Sequence, residues 1–303
     1  MNFNREGRKK LELRVLKYFL TVAQEGTITR AADILHVTQP TLSRQLKQLE
    51  DDLGTALMIR TNSQIALTEA GLLLEQRAKE ILELSDRTAH ELRHQRSSFG
   101  GTVSIGSAGV FPSTYVSKII KKYRDNYPDN EFYLYTSCAE NIKERVDKGL
   151  SAVALVSEPV ESSKYDYVIL AQEWHWSLFV PKDAPAAQRE YISIDELADM
   201  PLIIPKRVLI PPAHDELLAF LYENDIPISG SYNLNTNAQA LVKDGLGYAL
   251  GLYSDACWLS EGITVVPVRP HTPVHCALVW KKGAALNLAS QRFIDTVTEH
   301  FAL

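Results

Sequence analysis

The stretch Thr29-Arg30-Ala31-Ala32-Asp33-Ile34-Leu35-His36-Val37-Thr38-Gln39-Pro40-Thr41-Leu42-Ser43-Arg44-Gln45-Leu46-Lys47-Gln48-Leu49-Glu50 decides how the first part of this chain folds. Leu35, Leu42, Leu46 and Leu49 fall at the spacing that buries one helical face, and the sequence reads as two short helices joined by a tight turn. Thr38 is placed to cap the second helix, and Pro40 falls in its first turn, where a missing N–H costs nothing. The opposite face carries Gln39, Thr41, Ser43, Arg44 and Lys47, side chains that suit base edges in a major groove or phosphate oxygens. A plain helical hairpin with a solvated face has the same spacing. The capped polar helix inside a three-helix module makes DNA contact the better reading.

Working outward, Leu11 to Ala23 forms a first amphipathic helix, ended by Gly26 and Thr27, and Glu50 to Gly54 closes the second helix of the pair. Leu57 to Leu67 is short, partly β-branched and broken at Asn62-Ser63, which predicts a small hairpin wing with Arg60 near the DNA backbone or an adjacent minor groove. Thr68 then caps a long helix that runs without proline to about Gln95, with Leu74, Ala78, Ile81, Leu82 and Leu92 in an apolar stripe. A lone helix cannot bury such a stripe. Pairing with the same helix of a second copy is the economical solution, and packing on its own domain is the alternative.

With 303 residues the chain has room for two or three domains with their own cores. No run of eighteen apolar residues exists, so no membrane span is expected. Residues 1–10 read as a polar extension, basic but without the apolar run of a secretory signal. Three cysteines far apart suggest neither a disulfide framework nor a zinc site, and the expected location is cytoplasmic. The net charge of −5 argues against an indiscriminate nucleic-acid coat. Residues 1–70 hold ten Lys/Arg against eight Asp/Glu, so the acid belongs to the rest of the chain and a local reader remains compatible with the charge.

Ser97 to Gly101 marks a break. After it, strand 102–107, helix 112–126, strand 131–135, helix 139–148 and strand 152–156 follow in βαβαβ order, which predicts a parallel sheet with helices on both faces. Strands at 167–170 and 176–180, a short helix at 194–198 and a strand at 201–204 come next. The alternation continues through helix 213–224, strand 231–234, helix 236–243 and strand 247–251, then strands at 265–268 and 275–280 and a helix at 286–301. Two α/β lobes, with the chain crossing near 157–166 and again near 266–275, would place a cleft at their junction.

Over almost its whole length, from about Leu11 to Phe301, the chain resembles the LysR-type transcriptional regulators. The likeness lies in an ordered set: Phe19 to Ala23 with Gly26, Thr29 to Ala32, Leu35, Val37 to Pro40, Leu42 to Gln45, Leu49-Glu50, Leu53-Gly54, Leu57, Arg60-Thr61 and Leu67 to Gly71. The resemblance implies an N-terminal all-α winged helix-turn-helix with a long linker helix, followed by a two-lobed α/β effector domain built like a periplasmic binding protein. The implied domains are 11–68 for DNA binding, 69–97 for the linker helix and 98–303 for the effector, with lobe I at about 98–165 and 270–303 and lobe II at about 166–269. The family binds interrupted palindromes as homodimers, often assembled into homotetramers, and RNA polymerase is among the partners it allows. Carried over by position, Gln39, Pro40 and Thr41 approach base edges, Ser43, Arg44 and Lys47 lie at base or phosphate, Arg30 and Thr38 at phosphate, and Arg60 at the wing.

Effectors in this family lie between the lobes near helix N-termini. The matching positions include Ser107, Val110, Ser113, Thr136, Ser137, Lys206, Arg207, Asn235 and Thr236, a set that suits a small anion or organic acid. Ser113 and Thr236 also read as simple caps, and Lys206 and Arg207 as solvated charges. The sequence departs from the family where Gly149-Leu150-Ser151 replaces a common Leu-Asp after the glycine. A ligand-independent or a thiol-responsive regulator of the same fold is the alternative, since the family includes peroxide sensors. Those depend on two reactive cysteines in the second lobe, and Cys257 has no obvious partner there, while Cys138 sits at a helix N-terminus. Trp174 and Trp176 read as packing ahead of ligand stacking. No metal-ligand spacing among the histidines, no phosphate loop, no nucleophile elbow and no dinucleotide fingerprint occurs, so no cofactor and no enzymatic activity are expected. A solute-binding protein fails on residues 11–95.

Overall fold

In the computed structural model, residues 11–60, 64–94, 101–109, 111, 113–206, 216–224, 226–255, 257–270 and 273–303 are described. The polar extension at 1–10, the turn at 61–63 and most of the break at 97–101 lie outside them. The chain divides into two compact units at Arg93–His94.

In the first unit, α1 (Leu13–Glu25) ends at Gly26, whose φ of 69° supplies the left-handed residue that closes a helix. Its stripe of Val15, Leu16, Phe19 and Val22 is buried. The short α2 (Ile28–Ile34) is capped by Thr27, whose side chain accepts from the Arg30 N–H. Next comes α3 (Gln39–Leu53), which buries Leu42, Leu46 and Leu49 against the first two helices. Each such side chain contributes roughly 1.5–3 kcal/mol on leaving water. The wing is the antiparallel pair β1 (Met58–Arg60) and β2 (Ile65–Leu67). The Thr68 hydroxyl then accepts from the Gly71 N–H at 3.0 Å and starts α4 (Glu69–His94). Leu74 and Ala78 of α4 join the core of this unit, whereas Leu72, Leu73, Leu84 and Leu92 are exposed.

The second unit opens with β3 (Thr102–Ala108), α5 (Ser113–Asn126), β4 (Glu131–Ser137), α6 (Ala139–Asp147) and β5 (Val153–Ser157). Both β4 and β5 pair parallel with β3, as the βαβαβ order predicts. Next comes β6 (Tyr165–Pro181), a single strand where the sequence suggests two. A 3-10 turn (Pro185–Gln188), β7 (Ile192–Ser193), a second 3-10 turn (Ile194–Asp199) and β8 (Leu202–Pro205) follow. The chain continues through α7 (Glu216–Glu223), β9 (Ile228–Tyr232), α8 (Asn235–Lys243), β10 (Tyr248–Tyr253), β11 (Ile263–Arg269), β12 (Val274–Lys281) and α9 (Leu288–Phe301).

The sheet order is β4-β3-β5-β12-β6-β10-β8-β9, with β11 on β6. The sheet is mixed, because β12 runs antiparallel to both β5 and β6. The Tyr165–Trp174 part of β6 pairs with β12, and the part beyond it pairs with β10 and β11. One strand therefore belongs to both halves of the unit. Trp174 and Trp176 are buried on it, and Trp174 meets Phe111 and Tyr115 edge-on at 5.2 and 5.6 Å between ring centroids. That geometry is core packing. At the departure from the family pattern, Ser151 is buried and its hydroxyl has no partner among the described residues.

Candidate DNA-contacting helix and interlobe cleft

Two surfaces carry polar groups that the cores do not use. The first is α3. Its apolar stripe faces α1 and α2, which leaves Gln39, Pro40, Thr41, Arg44 and Lys47 exposed, with Ser43 half-buried. Arg44 and Lys47 have no ion-pair partner among the described residues. Arg30 is largely exposed and pairs with Glu25 at 3.2 Å. Arg60 ends β1, and its side chain lies outside the described residues.

Thr38 occupies the N-cap position of α3 with extended backbone, as its place in the sequence suggests, but its side chain caps no backbone N–H. Its hydroxyl lies 2.8 Å from the Thr41 hydroxyl instead. Pro40 removes the second helical N–H, one of the two from which an N-cap oxygen normally accepts.

The turn that aims α3 is a left-handed closure. The Val37 N–H donates to the Ala32 carbonyl at 3.0 Å and the His36 N–H to the Asp33 carbonyl at 3.2 Å, with His36 at φ 54°.

The second surface is a cavity of about 1000 Å³ between the halves of the second unit. Ala108, Gly109 and the first turn of α6 line one wall; Pro205, Lys206, residues 231–233 and one side of α8 line the other. Cys138 caps α6 without a side-chain hydrogen bond, so the N–H groups of that first turn face the cavity uncapped by a side chain. Lys206 brings the cationic group to the wall, and Glu140 and Asp244 bring carboxylates. Asn141 donates to the Ser137 hydroxyl at 3.1 Å, and Asn237 to Asn233 at 2.9 Å.

Of the effector positions expected from the sequence, Lys206 lines this cavity. Ser107 does not: it is 1% exposed, on a strand covered on both faces, and its hydroxyl has no partner among the described residues. Thr136, Ser137, Asn235 and Thr236 also stand outside the lining. Asn235 is turned inward, its side-chain amide donating to the Leu252 carbonyl at 3.2 Å and its backbone N–H to the Gly109 carbonyl at 3.3 Å. The start of α8 is thus engaged by the opposite wall. Ser113 opens α5 with its side chain outside the described residues, and Val110 and Arg207 lie outside them altogether. Asn237, inside the expected 235–237 stretch, also lines the cavity, whereas Glu140, Asn141, Asn233 and Asp244 are lining residues that sequence reasoning misses. Glu140 and Asn141 are signalled only by their place in the first turn of α6 and Asn233 by its place just before α8, while Asp244, at the C-terminal end of α8, carries no such signal.

The thiols are distributed as follows. Cys138 lies at the cavity wall. Burial pushes the Cys257 thiol up, and pushes that of fully buried Cys276 well up. Among the described residues no group of three or more His, Cys, Asp or Glu is placed to hold a metal, and no helix is long and apolar enough to cross a membrane.

Comparison with known proteins covers both units of the chain. Residues 13–72 match the family described as bacterial regulatory helix-turn-helix protein, lysR family, and residues 96–302 match the LysR substrate binding domain. The chain is 28% identical to the DNA-binding transcriptional dual regulator OxyR of Escherichia coli, covering 95% of each chain. It is 29% identical to the Hca operon transcriptional activator HcaR of the same species, covering 96% of this chain and 99% of that one. Full-length CbnR, solved in complex with its target DNA, superposes with a TM-score of 0.75 at 24% identity over 95% of this chain and 99% of that one, which shows the shared fold. OxyR and HcaR are both named as regulators of transcription. Exposed reader helix, wing and two-lobed domain therefore share one explanation: the chain belongs to the LysR family and is a DNA-binding transcriptional regulator with an effector-binding domain.

Proposed function

We propose that this regulator acts in the cytoplasm as a homodimer paired through α4, assembling further into a homotetramer, and that a small organic acid bound between the lobes sets how it engages an interrupted palindrome. The exposed Leu72, Leu73, Leu84 and Leu92 on α4 support the pairing, since apolar side chains left in water favour burial against a second copy. Gln39 and Thr41 approach base edges, Arg44 and Lys47 hold phosphate, and Arg30, Thr38, Ser43 and Arg60 stand around them as positioning contacts.

The observation that carries the effector reading is the cavity with Lys206 on one wall and the open first turn of α6 on the other. A carboxylate between them would meet an ammonium and uncapped N–H groups at the positive end of a helix. Glu140 and Asp244 add acceptors, so the acid that fits best also carries a hydroxyl or amino donor. Thermal-shift titration with hydroxy and amino acids tests this. Stabilisation by such acids that is lost in Lys206→Ala supports it; stabilisation that survives Lys206→Ala places the ligand elsewhere. A ligand at about 100 times its Kd adds roughly 2.7 kcal/mol, well within detection.

A further inference from the structure

The segment Ala56–Met58 is bonded to two helices at once. On one side the Glu50 carboxylate, near the end of α3, accepts through one oxygen from the Leu57 N–H at 2.7 Å and from the Met58 N–H at 3.1 Å. On the other side Thr68, at the start of α4, donates its hydroxyl to the Ala56 carbonyl at 2.8 Å and its N–H to the Leu57 carbonyl at 3.0 Å. Gly71 lies so close that a Cβ there would stand 2.0 Å from the Leu57 carbonyl oxygen. Leu57 itself is 1% exposed. The Glu50 carbonyl meanwhile closes α3, accepting from Gly54 and Thr55.

We infer that Glu50 is a positioning residue for DNA recognition: its carboxylate clamps α3 to the Ala56–Met58 segment and, through that segment, to the first turn of α4. Hydrogen bonds to a charged acceptor are the strong kind, and here two N–H groups converge on one oxygen of a half-buried side chain. The clamp touches no DNA. It fixes the angle between the helix that enters the groove and the helix that, on the reading proposed above, pairs two subunits. The consequence is a fixed separation between two reader helices, and a direct path by which any rotation of α4 turns α3.

The test uses full-length protein and DNA selected by the wild type from a random library, re-synthesised with the spacing between half-sites changed by one and two base pairs. A single half-site serves as the control for local contact. The wild type is expected to prefer one spacing by about tenfold or more, the equivalent of one charge-assisted hydrogen bond. Glu50→Ala and Glu50→Asp, the latter too short to span the gap, are expected to flatten that preference to about twofold while half-site affinity is retained. Glu50→Gln keeps an acceptor oxygen at the same reach without the charge and is expected to retain a preference between those of the wild type and Glu50→Asp. Should Glu50→Ala not fold, Glu50→Asp against Glu50→Gln carries the comparison. Variants that keep the wild-type preference, or that lose half-site and full-site affinity by the same factor, overturn the clamp. A wild type indifferent to spacing overturns the paired-reader reading and the clamp with it, so the two failures are distinguishable.

Discussion

His36 holds the turn between α2 and α3 at φ 54°, a region that costs an L-residue with a Cβ about 1–2 kcal/mol. Its position after the C-cap, with the paired bonds from Val37 and His36, is one where glycine is ordinarily found. His36→Gly is therefore expected to raise the thermal stability of the protein by up to about 1 kcal/mol, after allowing for the entropy that glycine loses on folding. His36→Val is expected to lower it, and thermal unfolding of both variants is the check. The turn itself was legible in the sequence from the spacing of Leu35 and Leu42 and from Pro40, because helix periodicity and proline geometry are local. The left-handed residue was not, since histidine gives no such signal. The bond between Thr38 and Thr41 was hidden for a related reason: capping propensity names the residue but not which of two nearby partners its hydroxyl takes.

At the scale of single elements, the 3-10 turn Ile194–Asp199 shows how a short piece is held. Glu196 accepts from both Arg189 guanidinium nitrogens at 3.0 Å and from the Ser193 N–H at 2.8 Å. The Arg189 bond first, and the Ser193 bond after it, hold the Glu196 carboxyl below its usual value. A lowered folded-state value means stability that is present above the unfolded value and is lost as the pH falls through the folded one. Glu196→Gln should accordingly melt below the wild type at neutral pH, and the gap should close as the pH drops below about 4, the ordinary carboxylate range. A gap that stays constant over that range would assign the effect to packing. Strands are where sequence reading is least complete. The stretch Gln172-Glu173 interrupts the apolar pattern inside β6, so one strand reads as two. The interruption falls where β6 leaves β12 and takes β10 and β11 as neighbours, a change of partner that a local pattern cannot contain.

For the whole molecule, thiol response is an alternative to a bound effector, and Cys138, Cys257 and Cys276 are all free of disulfides. The Cys257 and Cys276 thiols are both pushed up by burial, which keeps them as weakly nucleophilic thiols. Peroxide is expected to leave operator affinity unchanged and to form no internal disulfide, as read by mobility shift and by mass spectrometry of alkylated peptides. A peroxide-induced shift in affinity would favour the thiol reading over the organic-acid one. Two lobes and a cleft were legible from the alternation of strands and helices. The lining was only partly so, because it depends on how far each loop reaches across, and Asn235 spends its groups on Leu252 and Gly109. The shared strand β6 has a mechanical consequence. Two lobes joined by slack connectors open like a clam, but these two are threaded on one continuous hydrogen-bonded ribbon. Any relative motion of the lobes must therefore bend or twist that ribbon. A ligand that pulled on one wall of the cleft would then load the same ribbon that both lobes build their cores on.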